Sequence, residues 1–171
     1  MPLRLREKIQ AVPRQDCSGI IEVGDGFQKA LDDIKEYGCH ILQVFEDEFG
    51  PGFCYSIGIQ KTSGAPELIV IGLQNQISAS IINEYNRRTN MGELFQEDTF
   101  YDGFLEGFPV IFKKIDKKHY DAYLGRALWL YQGDNFDVFQ LIYPTTSGIW
   151  PWDPEAPESF INSNPALYSN K

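Results

Sequence analysis

Residues 52–73, GFCYSIGIQKTSGAPELIVIGL, contain the two strand patterns from which the fold is predicted. After the first glycine, large apolar side chains alternate with small ones: Phe53, Tyr55, Ile57 and Ile59 against Cys54, Ser56 and Gly58. Successive side chains of a strand point to opposite faces, so this alternation predicts a strand with one apolar face. Residues 66–73 are almost all apolar, which is typical of a strand buried on both faces. We therefore expect a sheet organised around these two strands.

The apolar spacing on either side of this pair predicts further helices and strands. The predicted helices span residues 25–38, 76–90 and 117–133. The predicted strands span residues 39–46, 52–59, 66–73, 107–115 and 136–143. Helix 76–90 is expected to bury Ile77, Ile81 and Tyr85, which share one face. The order predicts a single α+β domain over residues 25–171, with a mostly antiparallel sheet flanked by two or three helices and preceded by an N-terminal arm, residues 1–24.

Composition limits the class of protein. The 171 residues are 43% hydrophobic and carry a net charge of −9, so we expect a packed core and no nucleic-acid partner. An acidic surface of this kind favours basic partners. The three cysteines, Cys17, Cys39 and Cys54, form no CxxC pair and predict reduced thiols. Because no signal peptide or membrane-spanning run is evident, we expect a soluble cytoplasmic protein.

No catalytic or metal-binding constellation stands out. A thiolate nucleophile needs an adjacent base, and the only histidines are His40 and His119. A hairpin closing near Phe49 and Gly50 would set His40 and Cys54 about 15 Å apart along the strands. Two isolated histidines also lack a metal-ligand spacing. We therefore predict neither catalytic residues nor a metal site.

An acidic and aromatic segment, GELFQEDTFYDGFLEG (residues 92–107), is the first candidate for function. It contains five carboxylates and four aromatic rings but no lysine or arginine. Charged residues around aromatic anchors are typical of protein interfaces. The predicted partner-binding residues are Glu93, Phe95, Glu97, Asp98, Phe100, Tyr101, Asp102 and Phe104. Alternatively, the aromatic rings enter the core and the acids stay in solvent.

The second candidate is GIWPWDPEAPESF, residues 148–160. Trp150, Trp152 and Asp153 could form a lid over a ligand, or the segment could close one end of the sheet as a structural plug. In the favoured plug interpretation Trp152 is the more buried indole. Asp153 is expected to accept a hydrogen bond from an indole or a backbone N–H.

Four stretches resemble a known family. GFCYSIGI with PELIVIGL, then FQLIYP, GIWPWDP and the terminal NPALYS are similar to the bacterial family called domain of unknown function 4262. The resemblance runs from about Cys39 to Leu167 and brings no established activity. The family usually has histidine before the Pro-Glu-Leu sequence, where this chain has Ala65.

These features predict a non-enzymatic protein-binding protein. We favour an immunity or antitoxin type that neutralises a basic toxin, or else a housekeeping protein. The enzyme alternative is an oxidoreductase with a split-barrel fold and bound FMN. In that case Tyr55 or Trp152 would hold the flavin ring, and its phosphate would meet the lysines at positions 113, 114, 117 and 118.

Overall fold

A six-stranded open sheet forms the centre of the computed structural model, which describes residues 25–169. The strands are β1 (His40–Val44), β2 (Phe53–Ile57), β3 (Glu67–Ile71), β4 (Phe100–Leu105), β5 (Phe108–Lys114) and β6 (Val138–Ile142). They lie in the order β1-β2-β3-β6-β5-β4, and only the β3–β6 pair is parallel. The predicted α+β fold with a mostly antiparallel sheet is confirmed. The predicted N-terminal arm lies outside the described residues.

Helices cover both faces of this sheet. They are α1 (Asp25–Tyr37), α2 (Ile59–Ser63), α3 (Asn75–Asn90), α4 (Tyr120–Tyr123), α5 (Gly125–Tyr131) and α6 (Glu158–Ser163). A 3₁₀ turn at Lys117–His119 leads into α4. None of the helices among residues 25–169 is both long enough and apolar enough to cross a membrane.

The alternating pattern of β2 is confirmed by two separate cores. Phe53, Tyr55 and Ile57 face one cluster, which includes residues of α1, α4 and α5. Cys54 faces the other cluster, where α3 packs on the sheet. β3 contributes to both clusters and is buried along its whole length, as its continuous apolar run predicts.

The prediction for α3 is correct for two of its three residues. Ile81 and Tyr85 are buried, but Ile77 is 39% exposed. The reason is that the start of α3 faces an open cleft instead of the sheet. Helical spacing identifies one face of a helix, but it does not reveal where along that face the neighbouring element ends.

Two other predictions need correction. The predicted helix 117–133 is interrupted at Leu124, whose backbone (φ −122°, ψ 37°) is not helical, immediately before Gly125. Glycine has the lowest helix propensity after proline, so a break costs little there. The segment 93–106 contains the edge strand β4, which the sequence does not predict. Polar and apolar residues do not alternate in FYDGFL, and the exposed and buried residues of the strand do not alternate either. A register shift between Tyr101 and Leu105 accounts for the irregular pattern.

A buried carboxylate joins three elements of the fold. Glu67, the first residue of β3, is fully buried. Its Oε1 accepts hydrogen bonds from the N–H groups of Gly58 (2.8 Å) and Gln60 (3.2 Å) and from the Tyr131 hydroxyl. Its Oε2 accepts a hydrogen bond from the Ser56 hydroxyl at 2.6 Å. Glu67 thereby links β2, α2 and α5.

The environment of Glu67 acts on its charge in two opposing ways. Burial raises the pKa of Glu67, while the hydrogen bonds from Ser56 and Tyr131 act to lower it. Burial and the nearby carboxyl also raise the pKa of Tyr131, so its hydroxyl keeps the proton that it donates. A buried carboxyl is tolerated only when such donors replace water.

The C-terminal segment covers the half of the sheet formed by β5 and β6. The Gln140 amide donates to the Pro165 carbonyl (2.9 Å) and accepts from the Leu167 N–H (3.0 Å). Leu167 is buried, and its carbonyl accepts a hydrogen bond from Asp116 at 2.8 Å. Residues 164–167 therefore close this part of the sheet, and they lie after the predicted plug at residues 148–160.

The two tryptophans differ from their prediction. Trp152 is 44% exposed and Trp150 is half-buried, so the prediction that Trp152 is the more buried is wrong. The segment turns instead of extending, because Asp153 N–H donates to the Trp150 carbonyl (3.0 Å). The predicted hydrogen bond of Asp153 is confirmed: its Oδ2 accepts from the Trp150 N–H at 2.8 Å. The turn stacks the two indoles, with centroids 5.3 Å apart.

Glu67→Ala should lower the free energy of unfolding by about 3 kcal/mol or more, because four buried or partly buried donors lose their acceptor. Glu67→Gln should cost less, since its carbonyl oxygen can still accept the three hydrogen bonds made to Oε1. Urea denaturation of both variants tests this, with Glu48→Ala as an exposed control. A Glu67→Ala protein as stable as the control would contradict the structural role.

Trp150→Ala should destabilise the protein by about 2 kcal/mol and Trp152→Ala by about 1 kcal/mol or less. The difference follows from burial, since Trp150 lies between Phe100 and Trp152 while Trp152 is more exposed. Thermal melts of the two variants measure the order. An equal or larger loss of stability in Trp152→Ala would contradict this order and show that Trp152 contributes more to the packing.

Candidate functional site

An open cleft of about 1030 Å³ lies at one end of the sheet. Its walls come from the first turns of α3, from the β4–β5 hairpin and from the segment that follows β6. Ile77, Phe104, Tyr143 and Phe160 are among its apolar lining residues. A concave, mostly apolar site with a few polar groups is the usual form of a binding site.

The parallel pair of strands explains where this cleft forms. β3 and β6 both end beside the cleft, and the chain that follows each strand forms one of its walls. Gly72 follows β3 with φ +85°, and a Cβ there would lie 2.4 Å from the Ser163 carbonyl oxygen. Only glycine allows α6 to approach so closely. The Tyr143 hydroxyl donates to the Ile71 carbonyl (2.8 Å), and its ring meets Phe160 edge-on.

The charged groups that line the cleft are both negative. Asp102 and Glu106 lie on the β4–β5 hairpin, and both side chains are exposed. The remaining polar lining residues, Gln76, Ser80, Thr145 and Thr146, are uncharged. Among residues 25–169, no lysine or arginine forms a salt bridge with either carboxylate. The cleft therefore offers two carboxylates to a cationic group.

Arg88 holds this acidic wall in place from the side of α3. Its guanidinium donates to the Asp102 carbonyl (2.9 Å) and to both carboxylate oxygens of Glu93 (2.6 and 2.5 Å). It also lies over the ring of Phe104, 4.5 Å from the centroid. The hydrogen bond from Arg88 lowers the pKa of Glu93. Arg88 thus binds the backbone of Asp102 and leaves its carboxylate free.

The predicted partner-binding segment is divided by the structure. Phe95, Tyr101 and Phe104 pack around Phe112 in the core under α3. This is the arrangement that the alternative interpretation of the segment expects for its aromatic rings. Phe100 is 62% exposed, so it alone of the four rings is presented mainly to solvent.

Three of the predicted acids have structural partners. Glu93 pairs with Arg88, Asp98 pairs with Lys113, and Glu97 accepts the backbone N–H of Lys114 at 2.6 Å. Asp102 is the fourth, and it lines the cleft. Glu106, Tyr143 and Phe160 also line the cleft, although none of them is among the predicted site residues. Glu106 precedes Gly107 at the hairpin turn, which is the one local signal that could have placed it.

Beside the cleft, aromatic rings form a row that we call the aromatic ladder: Phe100, Trp150, Trp152 and Tyr168. Phe100 lies 5.6 Å from Trp150, and Trp150 stacks on Trp152 at an interplanar angle of 6°. The ammonium group of Lys113 lies 5.9 Å from the Trp152 centroid and 5.5 Å from that of Tyr168. The predicted lid residues Trp150 and Trp152 thus belong to a surface that adjoins the cleft.

Cys54 and His40 do not form a nucleophilic pair in the described part of the chain, and Cys17 lies outside it. Cys54 lies opposite Gln43 and His40 opposite Ile57, a shift of two residues from the predicted register. The turn begins earlier than expected because the Asp47 carboxylate accepts the N–H groups of Phe49 and Gly50.

The thiols and the His40 imidazole are occupied by structural roles. His40 Nδ1 lies 2.7 Å from the Asp33 carboxylate. Burial raises the pKa of Cys54 to about 11 and that of Cys39 to about 12. Both thiols therefore stay protonated at neutral pH and are poor nucleophiles. No group of three potential metal ligands occurs in the described part of the chain.

The residues considered for flavin binding are dispersed. Tyr55 is fully buried, and its hydroxyl accepts the backbone N–H of Arg126 at 3.2 Å. Of the lysines, Lys113 is held by Asp98 and the aromatic ladder, and Lys114 pairs with Asp137 at 2.9 Å. The ammonium of Lys117 donates to the Asp134 carbonyl (2.7 Å). Tyr55 is thus enclosed in the core, whereas Lys113 lies beside Trp152.

The family motifs meet in space at structural contacts. Ser56 and Gly58 of the first motif donate to Glu67 of the second, and Gln140 of the third binds the backbone of the terminal NPAL sequence. Ala65 packs partly buried against the core under α3. These contacts stabilise the fold, and the ends of two of the motifs, at Leu73 and Tyr143, also line the cleft.

Comparison with known families gives one result. A family model described as "Domain of unknown function (DUF4262)" matches residues 33–157. The search of curated proteins and the search of solved structures return no match. Since the matched region covers more than half of the 171 residues, the chain belongs to the family of domain of unknown function 4262.

Proposed function

We propose that the protein is a non-catalytic binding protein whose cleft receives a basic segment of a partner protein. The observation that carries this proposal is the acidic rim of an apolar cleft, formed by Asp102 and Glu106 without a salt bridge to any cation among the described residues. A partner's lysine or arginine would supply the missing counter-charge.

The shape of the site favours a chain segment over a small molecule. The cleft is open, and its volume of about 1030 Å³ is at the upper end of the range for small-ligand pockets. Small ligands usually bury most of their surface, which an open cleft does not allow. A peptide segment can lie along the cleft, with apolar side chains on Ile77 and Phe104 and a cation beside the rim.

The net charge of the protein also favours a basic partner. A net charge of −9 attracts basic proteins at a distance and repels acidic ones. A basic toxin is the partner class that we favour, and the protein would then act as an immunity or antitoxin-type protein by covering part of the toxin surface. The deep burial of both thiols fits a role in binding, since neither can easily form a thiolate.

Removing the two rim charges should weaken binding without unfolding the protein. The Asp102→Asn/Glu106→Gln double variant should bind a synthetic peptide of alternating leucine and arginine at least about fivefold more weakly than the parent, because one charge-assisted contact is lost at each site. Isothermal titration calorimetry measures this difference. A peptide with glutamate in place of arginine should not bind the parent.

The matched control removes two exposed carboxylates elsewhere. Glu46→Gln/Glu48→Gln removes the same amount of negative charge at the β1–β2 turn, at the opposite edge of the sheet from β4. This control should bind the arginine peptide nearly as well as the parent. Equal losses in the two double variants would show that only the overall charge matters and would overturn the cleft as the binding site.

A further inference from the structure

We infer that the partner segment continues from the cleft onto the aromatic ladder, where a second cationic side chain lies against Phe100. This inference rests on the proposed function and assigns it a second subsite. The first cation would meet Asp102 and Glu106, and the second would meet the exposed end of the ladder.

The two subsites are adjacent on one edge strand. Phe100 and Asp102 are two positions apart on β4, which corresponds to about 7 Å along a strand. The segment after β6 also joins the two subsites, since it runs from the wall of the cleft to the aromatic ladder. Thr145 lines the cleft, its N–H donates to the Ile149 carbonyl at 2.8 Å, and Trp150 follows immediately. A short extended segment beside Asp102 is therefore long enough to reach Phe100.

The ladder already binds one cation of the protein itself. The Lys113 ammonium lies over Trp152 and Tyr168 and pairs with Asp98. Aromatic faces attract cations through the ring quadrupole, and a neighbouring carboxylate strengthens the site. The inner end of the ladder is thus occupied. Among the described residues, no cation lies over the ring of Phe100 at the outer end, which is 62% exposed.

The charge of the surrounding segments favours a cationic occupant. Residues 93–106 and 144–160 together contain eight carboxylates and no lysine or arginine. The cations contributed by neighbouring elements, Arg88 and Lys113, are already paired with Glu93 and Asp98. The potential at this surface is therefore negative, and a second cation is attracted where an anion would be repelled.

The distance between the subsites predicts the sequence pattern of the partner. In an extended chain, side chains at positions i and i+2 point to the same side and lie about 7 Å apart. Cations at i and i+2 can therefore meet Asp102 and Phe100 together. Cations at i and i+1 point to opposite sides, so only one of them can be accommodated.

Two peptides of identical composition test this pattern. One has the order Leu-Arg-Leu-Arg-Leu and the other Leu-Leu-Arg-Arg-Leu, each flanked by glycines and blocked at both ends. The full-length protein should bind the first about threefold more tightly than the second, as expected for one exposed cation–π contact. Titration calorimetry at low salt measures both dissociation constants.

Variants of Phe100 show whether the ring is responsible. Phe100→Ala and Phe100→Leu should both abolish the preference for the alternating peptide, because leucine keeps an apolar side chain but has no aromatic face. The matched control is Phe45→Ala, which removes a ring of similar exposure (66%) at the β1–β2 turn and should keep the preference. Thermal melts confirm that the variants are folded.

The outcomes separate this inference from the proposed function. If the parent shows no preference, or if Phe100→Ala and Phe100→Leu keep it, the second subsite is overturned. In that case, weaker binding by Asp102→Asn/Glu106→Gln would leave the cleft as the binding site. If the parent binds neither peptide, both proposals are overturned.

Discussion

Four hydrogen bonds to the buried carboxyl of Glu67 hold the central strands and two of the helices in position. A carboxyl group at the start of a fully buried central strand is costly unless donors surround it, and here four donors do. Those donors come from β2, α2 and α5. Meeting this one requirement therefore fixes how β3, its antiparallel neighbour and the helix layer are placed relative to one another.

The cleft is a consequence of that arrangement at the other end of β3. The Glu67 N–H donates to the Asp137 carbonyl (2.9 Å), which begins the parallel pairing of β3 with β6. Because the two strands run in the same direction, their C-terminal ends lie side by side, and the chain leaves the sheet twice at this end. Gly72 then lets α6 pack closely against the end of β3. A structural requirement at one end of the pair thus positions the candidate binding site at the other.

The five acidic residues of the segment 92–107 divide into two groups with different physical roles. Glu93, Glu97 and Asp98 are bound to Arg88, to the backbone of β5 and to Lys113, so they order the β4 region. Asp102 and Glu106 have no such cation among residues 25–169 and face the cleft. The composition of the sequence does not distinguish the two groups. In the structure, the carboxylates of the first group already have partners within the protein, so those of the second group are the ones available to a partner protein.

Features that depend on neighbouring residues could be predicted from the sequence. The alternation in residues 52–59, the apolar run in 66–73 and the spacing of Ile81 and Tyr85 record local periodicity and burial. They were sufficient to predict the α+β class and most of the main elements. The acceptor role of Glu67, the exposure of Ile77, the stacking of Trp150 on Trp152 and the pairing of each acid became visible in the folded structure alone. These depend on groups far apart in the chain, and no local pattern records which distant residue will supply a donor, a cation or an empty space.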